Sequence, residues 1–592
     1  MKTIIPGLFL VLFCLIHSLS AQQKFYLDLT DQDSDIFTVT LFPEKLSDEN
    51  RIYQFASIAP GTYQRMDLGR FVKSFVAYDK SGNEIETKQK SLNQWSISDP
   101  GDVKKIVYEI EDTWDTPVDS DRIYLMCGSS IENDNVLING QCVFGYFHGM
   151  QSEPILVKIK YPEDWLLGTA LQLNEEGYYE AESYDYIVDS PILLGKLTKE
   201  SITISNANVD VFTYSKTGLL KSSDILGSIE DILKAEDAFT KGLPVDHYTF
   251  LFHFEDVSAG AWEHSYSSEY IYKEDSLSER LKQNIRDVVA HEFFHIVTPL
   301  NIHSELIEEF NFVKPELSQH LWLYEGVTEW ASHILELRGS LISLEDYLKV
   351  LHNKLSISQA YDKNISLTYL GVHSTELQDQ YVNIYMKGAI VAGLLDIRLL
   401  ELSNGKRGLR EVITELYQKY GPYKPFNEET FFDDFAAMTY PEISDFFEKY
   451  IKGTEPLPVK EYYENIGINY FEKGTYDSSK VSLGILVGFN GSNFFIEKVS
   501  DESPGANVLK AGDIIDKIEG KQITTENVHK IFAQIRTTHH VGDSVSMTVL
   551  RDNKSVELEF KLTASREKHV FSVDENATEE QVKLRNAWMR NL

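Results

Sequence analysis

The sequence predicts a multidomain α+β protein, with a β-sandwich first, a mostly helical domain in the middle and a second β-rich domain after it. Three observations carry that prediction. At 592 residues the chain is too long for one hydrophobic core. Its hydrophobic content of 42% supplies material for several cores and carries no disorder signature. The spacing of apolar residues then changes along the chain, from alternation to helical periods and back to alternation.

Residues 1–21 read as a secretory signal peptide: Lys2, an apolar run from Ile4 to Ile16, then Ser18, Ser20 and Ala21 at a cleavage position. The alternative is a membrane anchor, for which the run is short. Cys14 follows the bulky Phe13, where lipid attachment wants a small residue. The expected location is therefore secreted or periplasmic. No later stretch is long and apolar enough for a membrane span.

Residues 22–200 form the predicted β domain, with the alternating runs FYLDL, FTVTLF, FVKSFVAYD, KIVYEIED and ILVKIKY and a turn at Ala59-Pro60-Gly61-Thr62-Tyr63. Residues 201–455 carry helical periods at 223–239, 278–297, 321–337, 344–355, 386–402 and 407–420, with one strong strand, YTFLFHFED, embedded among them. This is the predicted α+β middle domain. Lys452–Pro458 reads as a linker, 466–563 as strands around a helix at 525–535, and 564–592 as a charged tail. Cys127 and Cys142 fall in one β-rich region, where a disulfide and two buried thiols are both compatible with the sequence.

With 56 basic against 91 acidic residues the net charge is −35. A field of that sign repels nucleic acid and anionic membranes, which excludes both as partners.

The chemistry concentrates at His291-Glu292-Phe293-Phe294-His295. Leu281, Ile285, Val288, Val289 and Ile296 form a helical apolar stripe, and residues four apart on a helix are neighbours. His291 and His295 can therefore present two imidazoles to one metal ion, with Glu292 beside them as a base that does not ligate. A third ligand is expected at Glu325, whose apolar surroundings in Leu321-Trp322-Leu323-Tyr324-Glu325-Gly326-Val327-Thr328 make a lone carboxylate costly without a cation. Glu329, one turn on, is either a hydrogen-bond acceptor for a ligand histidine or a surface acid. Gly260-Ala261-Trp262-Glu263-His264 follows the strong strand, where an edge strand and its loop can line a peptide cleft. Val382-Asn383-Ile384-Tyr385-Met386-Lys387-Gly388 precedes an apolar helix.

Together these four segments resemble the gluzincin zinc metallopeptidases, and most closely the PDZ-tailed glycyl aminopeptidase family. The resemblance implies a thermolysin-like, mostly helical catalytic domain and a PDZ-like β-barrel at the end. It implies one zinc per chain on His291, His295 and Glu325, with Glu292 as general base and Tyr385 as oxyanion donor. Glu263, in the segment opened by Gly260 and Ala261, would hold the substrate's free amino group. The substrates implied are extracytoplasmic peptides with a small first residue of the Gly or Ala type. Trp262 stands where that family carries a smaller aliphatic, and Ile296-Val297-Thr298-Pro299 departs from its usual run after the second histidine. Ser482-Leu483-Gly484-Ile485-Leu486 resembles a PDZ carboxylate-binding loop, which implies a peptide C-terminus as a possible partner. Two other readings remain compatible with the residues: an endopeptidase of the same clan, and a weakly catalytic peptide-binding scaffold.

Overall fold

The computed structural model describes residues 23–30, 35–258, 260–308, 310–489, 493–500, 503–525, 527–552 and 554–592. The expected signal peptide, 1–21, lies outside the described residues. The chain divides into two compact units. One runs to Tyr347 and takes in Ser358–Leu457 and Leu584–Leu592; the other comprises Leu348–Ile357 and Pro458–Lys583.

In the first unit, the five alternating runs fold as strands Gln23–Asp28, Ile36–Pro43, Val72–Tyr78, Lys105–Glu111 and Ile155–Lys160. All five belong to one eight-stranded sheet. Alternate side chains, such as Phe25 and Leu27, Val39 and Leu41, and Ile106, Tyr108 and Ile110, are buried, as period two requires. They share one core with residues of two four-stranded sheets, among them Tyr53, Trp95, Val136 and Leu194. Tyr53 sits at its centre, ring to ring with Phe147 at 5.0 Å and with Phe55 and Phe75 at 5.3 Å. Its hydroxyl accepts the Gly145 N–H at 3.2 Å. Cys127 and Cys142 are buried free thiols, and the Cys142 thiol points to the Cys127 carbonyl oxygen at 3.3 Å.

A five-stranded sheet follows in the order Thr198–Ile204, Ala207–Ser215, His247–Glu255, Ser267–Lys273, Gly260–Glu263. The strong strand His247–Glu255 is flanked by parallel neighbours on both sides, and eight of its nine residues are buried. Gly260–Glu263 is the antiparallel edge strand of this sheet. Its residues are held by main-chain pairing, where a loop would leave them free.

Helices of this unit include Ser222–Thr240, Glu279–Phe294, Thr328–Arg338, Val382–Leu402 and Leu409–Lys419, and a further helix, Leu344–Ser358, begins here but has Leu348–Ile357 in the other unit. One difference from the sequence reading is a π-helical turn, Trp322–Val327, ahead of Thr328–Arg338. Among the described residues no helix is long and apolar enough to cross a membrane.

In the second unit, strands Ile485–Phe489, Phe494–Val499, Ile514–Ile518, Lys521–Gln522, Ser544–Arg551 and Lys554–Lys561 make one sheet around the Val528–Thr538 helix. Among the described residues this sheet is open, which corrects the closed barrel expected from the sequence. The end strands Ile485–Phe489 and Lys554–Lys561 do not pair, and Phe494–Val499 meets Ile514–Ile518 at a single register position. Residues expected as a charged tail contribute a strand, Thr563–Val573, paired with Ile468–Ser482, and a helix, Glu579–Met589.

Tyr53→Ala should empty the centre of the first core and cost about 3–5 kcal/mol. A shifted urea midpoint with an unchanged slope is the expected result, and an unmoved midpoint would place the centre of that core elsewhere.

Candidate metal centre and cleft

The Glu279–Phe294 helix is started by Ser278, whose hydroxyl accepts the Leu281 N–H at 3.2 Å. Its apolar stripe is anchored on the five-stranded sheet by Phe293, which meets Tyr248 edge-on at 4.7 Å and Phe250 at 5.7 Å. That anchoring aims the last turn at the edge strand. His295 caps the helix with φ −61° and ψ −18°, so the four-residue relation to His291 persists through the cap, and the two rings lie 5.0 Å apart.

Each imidazole is oriented by its Nδ1. That of His291 lies 2.9 Å from Glu329 Oε2, and that of His295 lies 2.9 Å from the Thr298 carbonyl. A neutral ring donating through Nδ1 keeps its lone pair on Nε2. Both Nε2 atoms face Glu325 Oε2, at 3.4 Å from His291 and 3.7 Å from His295. Ligand atoms of these three buried residues all lie within 4.8 Å of one another. Glu325 Oε2 is buried and accepts no hydrogen bond. A carboxylate oxygen and two imidazole lone pairs converging in a buried place repel one another unless a cation stands between them, so the donor set fits a zinc ion.

The titration behaviour agrees. Burial opposes charge on His291, yet the Glu325 carboxylate beside it and its hydrogen bond to Glu329 hold the imidazole well above its ordinary range. Burial, aided by the neighbouring His291, pushes His295 down to about 4, although Glu325 pulls the other way. Burial raises Glu325 as well, but His291, His295 and the Tyr385 hydroxyl outweigh it and hold its carboxyl below the usual value. Of the two imidazoles only His291 is favoured to carry charge, and the Glu325 carboxylate is kept ionised beside it. Glu292 differs: burial, reinforced by Glu325 and Glu329 and opposed by His291, lifts it to about 7. A carboxyl poised near neutrality suits proton transfer.

Glu325 reaches its position through a close helix contact. A Cβ built on Gly326 would lie 2.7 Å from Gly388 Cα, and one on Gly388 would lie 2.7 Å from Gly326 Cα. The π-turn and the Val382–Leu402 helix thus touch backbone to backbone, with Glu325 beside one glycine and Tyr385 one turn before the other. The Tyr385 ring lies 5.6 Å from that of His291, and its hydroxyl is 3.4 Å from the Tyr381 hydroxyl. Tyr381 in turn meets Tyr63 at 5.4 Å, from the Ala59–Tyr63 turn. Sequence reasoning missed Tyr381; its four-residue spacing from Tyr385 was the available signal.

Glu263 is half-buried on the edge strand, and its carboxylate, the Glu292 carboxylate and a His295 nitrogen have ligand atoms within 4.8 Å of one another. Burial first, then Glu325 and Glu292, push its carboxyl well up. Gly61, with φ +71°, clears the space it occupies: a Cβ there would lie 2.6 Å from Glu263 Oε1 and 3.0 Å from Trp262 Nε1. Trp262, Glu263, Tyr63, Glu325 and Leu321 help to line a cavity of ≈ 210 Å³. Gly260 and Ala261 are not among its walls; they pair with Ile271 and Tyr270 and hold the strand that presents Glu263.

Residues 24–196 match the Peptidase M61 N-terminal domain, 284–391 the M61 glycyl aminopeptidase model and 481–562 the PDZ domain. The fold is shared with an aminopeptidase N family protein from Idiomarina loihiensis, at 21% identity and a TM-score of 0.78, covering 96% of this chain and 100% of that one. Similarity to native yeast LTA4 hydrolase is weaker, with 13% identity, a TM-score of 0.47, and coverage of 76% and 70%. Over 72 residues the chain is 38% identical to the serine protease Do-like HtrA of Lactobacillus helveticus, a match covering 12% of this chain and 17% of that protein.

Two substitutions test the geometry. Glu329→Gln should weaken zinc affinity about 10–100-fold, because it loosens the imidazole it orients. Gly326→Ala should lower zinc affinity and turnover together, since its Cβ meets backbone that cannot yield. Competition with a chromogenic chelator reads both, and unchanged affinity in Gly326→Ala would mean that the helix contact does not set the ligand.

Proposed function

We propose that the chain, whose residues 24–196 and 284–391 match M61 models, is a zinc-dependent aminopeptidase of the M61 glycyl aminopeptidase family, with one zinc per chain, acting on extracytoplasmic peptides. The observation that carries this reading is the spacing of Glu263 from Glu292 and His295, with ligand atoms within 4.8 Å of one another. In a peptide the α-amino nitrogen and the carbonyl carbon of the same residue are about 2.5 Å apart. An ammonium held by Glu263 therefore leaves room for one residue before the scissile carbonyl reaches the metal centre. An endopeptidase has no use for an acid so placed.

His291, His295 and Glu325 would hold the zinc, which supplies Lewis-acid chemistry and acidifies water. The residues of the chain do the rest. Glu263 binds and orients the ammonium, a buried charge pair in place of solvent. Glu292 takes the proton from the attacking water and returns it to the departing amine. The Tyr385 hydroxyl, kept protonated because burial and Glu325 push it well up, donates to the developing oxyanion. Trp262, buried at the cavity wall, favours small first side chains of the Gly or Ala type. In the second unit a groove of ≈ 340 Å³ beside Ser482, Leu483, Ile485, Phe532 and Arg536 would take a peptide C-terminus.

Gly-, Ala- and Leu-amides with free amino groups should be hydrolysed, and their acetylated forms should not. Glu263→Ala should cost roughly 2–5 kcal/mol in kcat/KM on free-amine substrates alone. Equal cleavage of blocked and free peptides by the wild type would establish the endopeptidase reading instead. Glu292→Gln should retain zinc and lose turnover, and Tyr385→Phe should lower kcat by about 10²–10³ with little change in KM. An unaffected kcat in Tyr385→Phe would reduce that tyrosine to packing.

A further inference from the structure

The Thr328–Arg338 helix carries Glu329 and continues from the turn that carries Glu325, and the Val382–Leu402 helix carries Tyr385. Near the metal centre the two elements meet at Gly326 and Gly388. The two helices stay packed against each other beyond that point, and one further contact between them is polar and fully buried.

It lies at the other ends. Arg338 Nη2 meets Asp396 Oδ2 at 2.6 Å, and both side chains are fully buried. A buried ion pair is sound only when its remaining donors and acceptors are also met. Asp396 Oδ1 accepts the Leu409 N–H at 2.7 Å. The other Arg338 donors turn to a segment distant in sequence: Nε donates to the Trp588 carbonyl at 2.9 Å and Nη1 to the Asn591 carbonyl at 3.4 Å. Asn591 Nδ2 donates to Glu411 Oε2 at 2.9 Å. Trp588 is fully buried, edge-on to Tyr347 at 5.6 Å. The loop opposite is shaped to the segment. A Cβ on Gly408 would lie 2.6 Å from Asp396 Oδ1 and 3.1 Å from Asn591 Nδ2, and one on Gly405 would lie 3.2 Å from Ala587 Cβ.

We propose that residues 584–592 are a clasp which completes the Arg338–Asp396 pair and so fixes the Glu325–Glu329 element against the Tyr385 helix, making Arg338, Asp396 and Trp588 positioning residues for the reaction. The proposal rests on the aminopeptidase reading for its kinetic consequence. Arg338 is nine residues beyond Glu329 and Asp396 eleven beyond Tyr385, so the clasp acts from about 14–16 Å along each helix. Loss of the segment strands two buried guanidinium donors and uncovers Tyr347, and the crossing relaxes. Displacing catalytic groups by about 1 Å costs on the order of 10²-fold in rate.

The experiment compares the full-length wild type, Trp588→Ala, and a variant lacking 584–592, each zinc-loaded, on Ala-amide. Expected is a kcat at least about tenfold lower with KM within about threefold, and partial recovery of kcat when a synthetic peptide of residues 583–592 is added to the deletion variant. Amide exchange at 322–330 and 382–390 should be faster by about tenfold in both variants, an outcome independent of turnover. If the deletion variant fails to fold, Trp588→Ala and the milder Trp588→Phe carry the test through the same exchange and kcat measurements. Unchanged kcat and exchange overturn the clasp, as does a kcat loss that tracks only the unfolded fraction. A wild type inactive on every free-amine substrate sinks the aminopeptidase reading, and the exchange comparison then decides the clasp alone.

Discussion

The contact of Gly326 on Gly388 is the constraint on which the rest of the centre depends. Any side chain at either position would meet backbone, which has no rotamer to escape into. With both glycines in place, a π-turn and a long apolar helix approach closely enough for Glu325 and Tyr385 to share one small volume with His291. The π-turn belongs to the same arrangement: an extra residue in the turn re-aims side chains locally, and such turns concentrate at functional sites.

Around that contact the chain gathers Glu263, Glu292, Glu325 and Glu329 against two imidazoles. Taken out of water, so many carboxyls in one place are unfavourable unless cations join them. Their environments sort them. Glu325 is held ionised by the histidines, Glu329 is engaged on His291 Nδ1, and Glu292 and Glu263 are pushed upward by burial and by one another's neighbours. One cation among the imidazoles and an ammonium at Glu263 would discharge this imbalance, which links metal and substrate in a single electrostatic account. The free thiols Cys127 and Cys142 stand outside it; burial raises both, so neither offers a thiolate to the metal centre.

Much of the fold was legible because its signals are local. Period-two runs such as FTVTLF became strands, and six helical periods became helices, since each element buries the stripe its own spacing creates. The open sheet of the second unit was not legible: closure depends on whether the end strands meet, and strand spacing along a sequence carries no such information. Nor was the role of the stretch after 564. Its charges describe a solvated segment, yet Trp588 is buried by partners more than 200 residues away in sequence, at Arg338 and Tyr347.

The centre divides the same way. The pairing of His291 with His295 and the nearness of Glu292 follow from helical geometry alone, so the sequence by itself determined them. Glu325 was legible as a third ligand from its apolar flanks, whereas the roles of Tyr385 and Glu263 were visible only as a resemblance among segments, because nothing within either segment says what it faces. Tertiary structure alone decided that Glu263 rides an edge strand within reach of Glu292, that Gly61 clears its space, that Tyr381 backs Tyr385, and that two glycines let the helices touch. Local geometry is encoded in the spacing of neighbours, whereas distances between segments are set by packing the whole core.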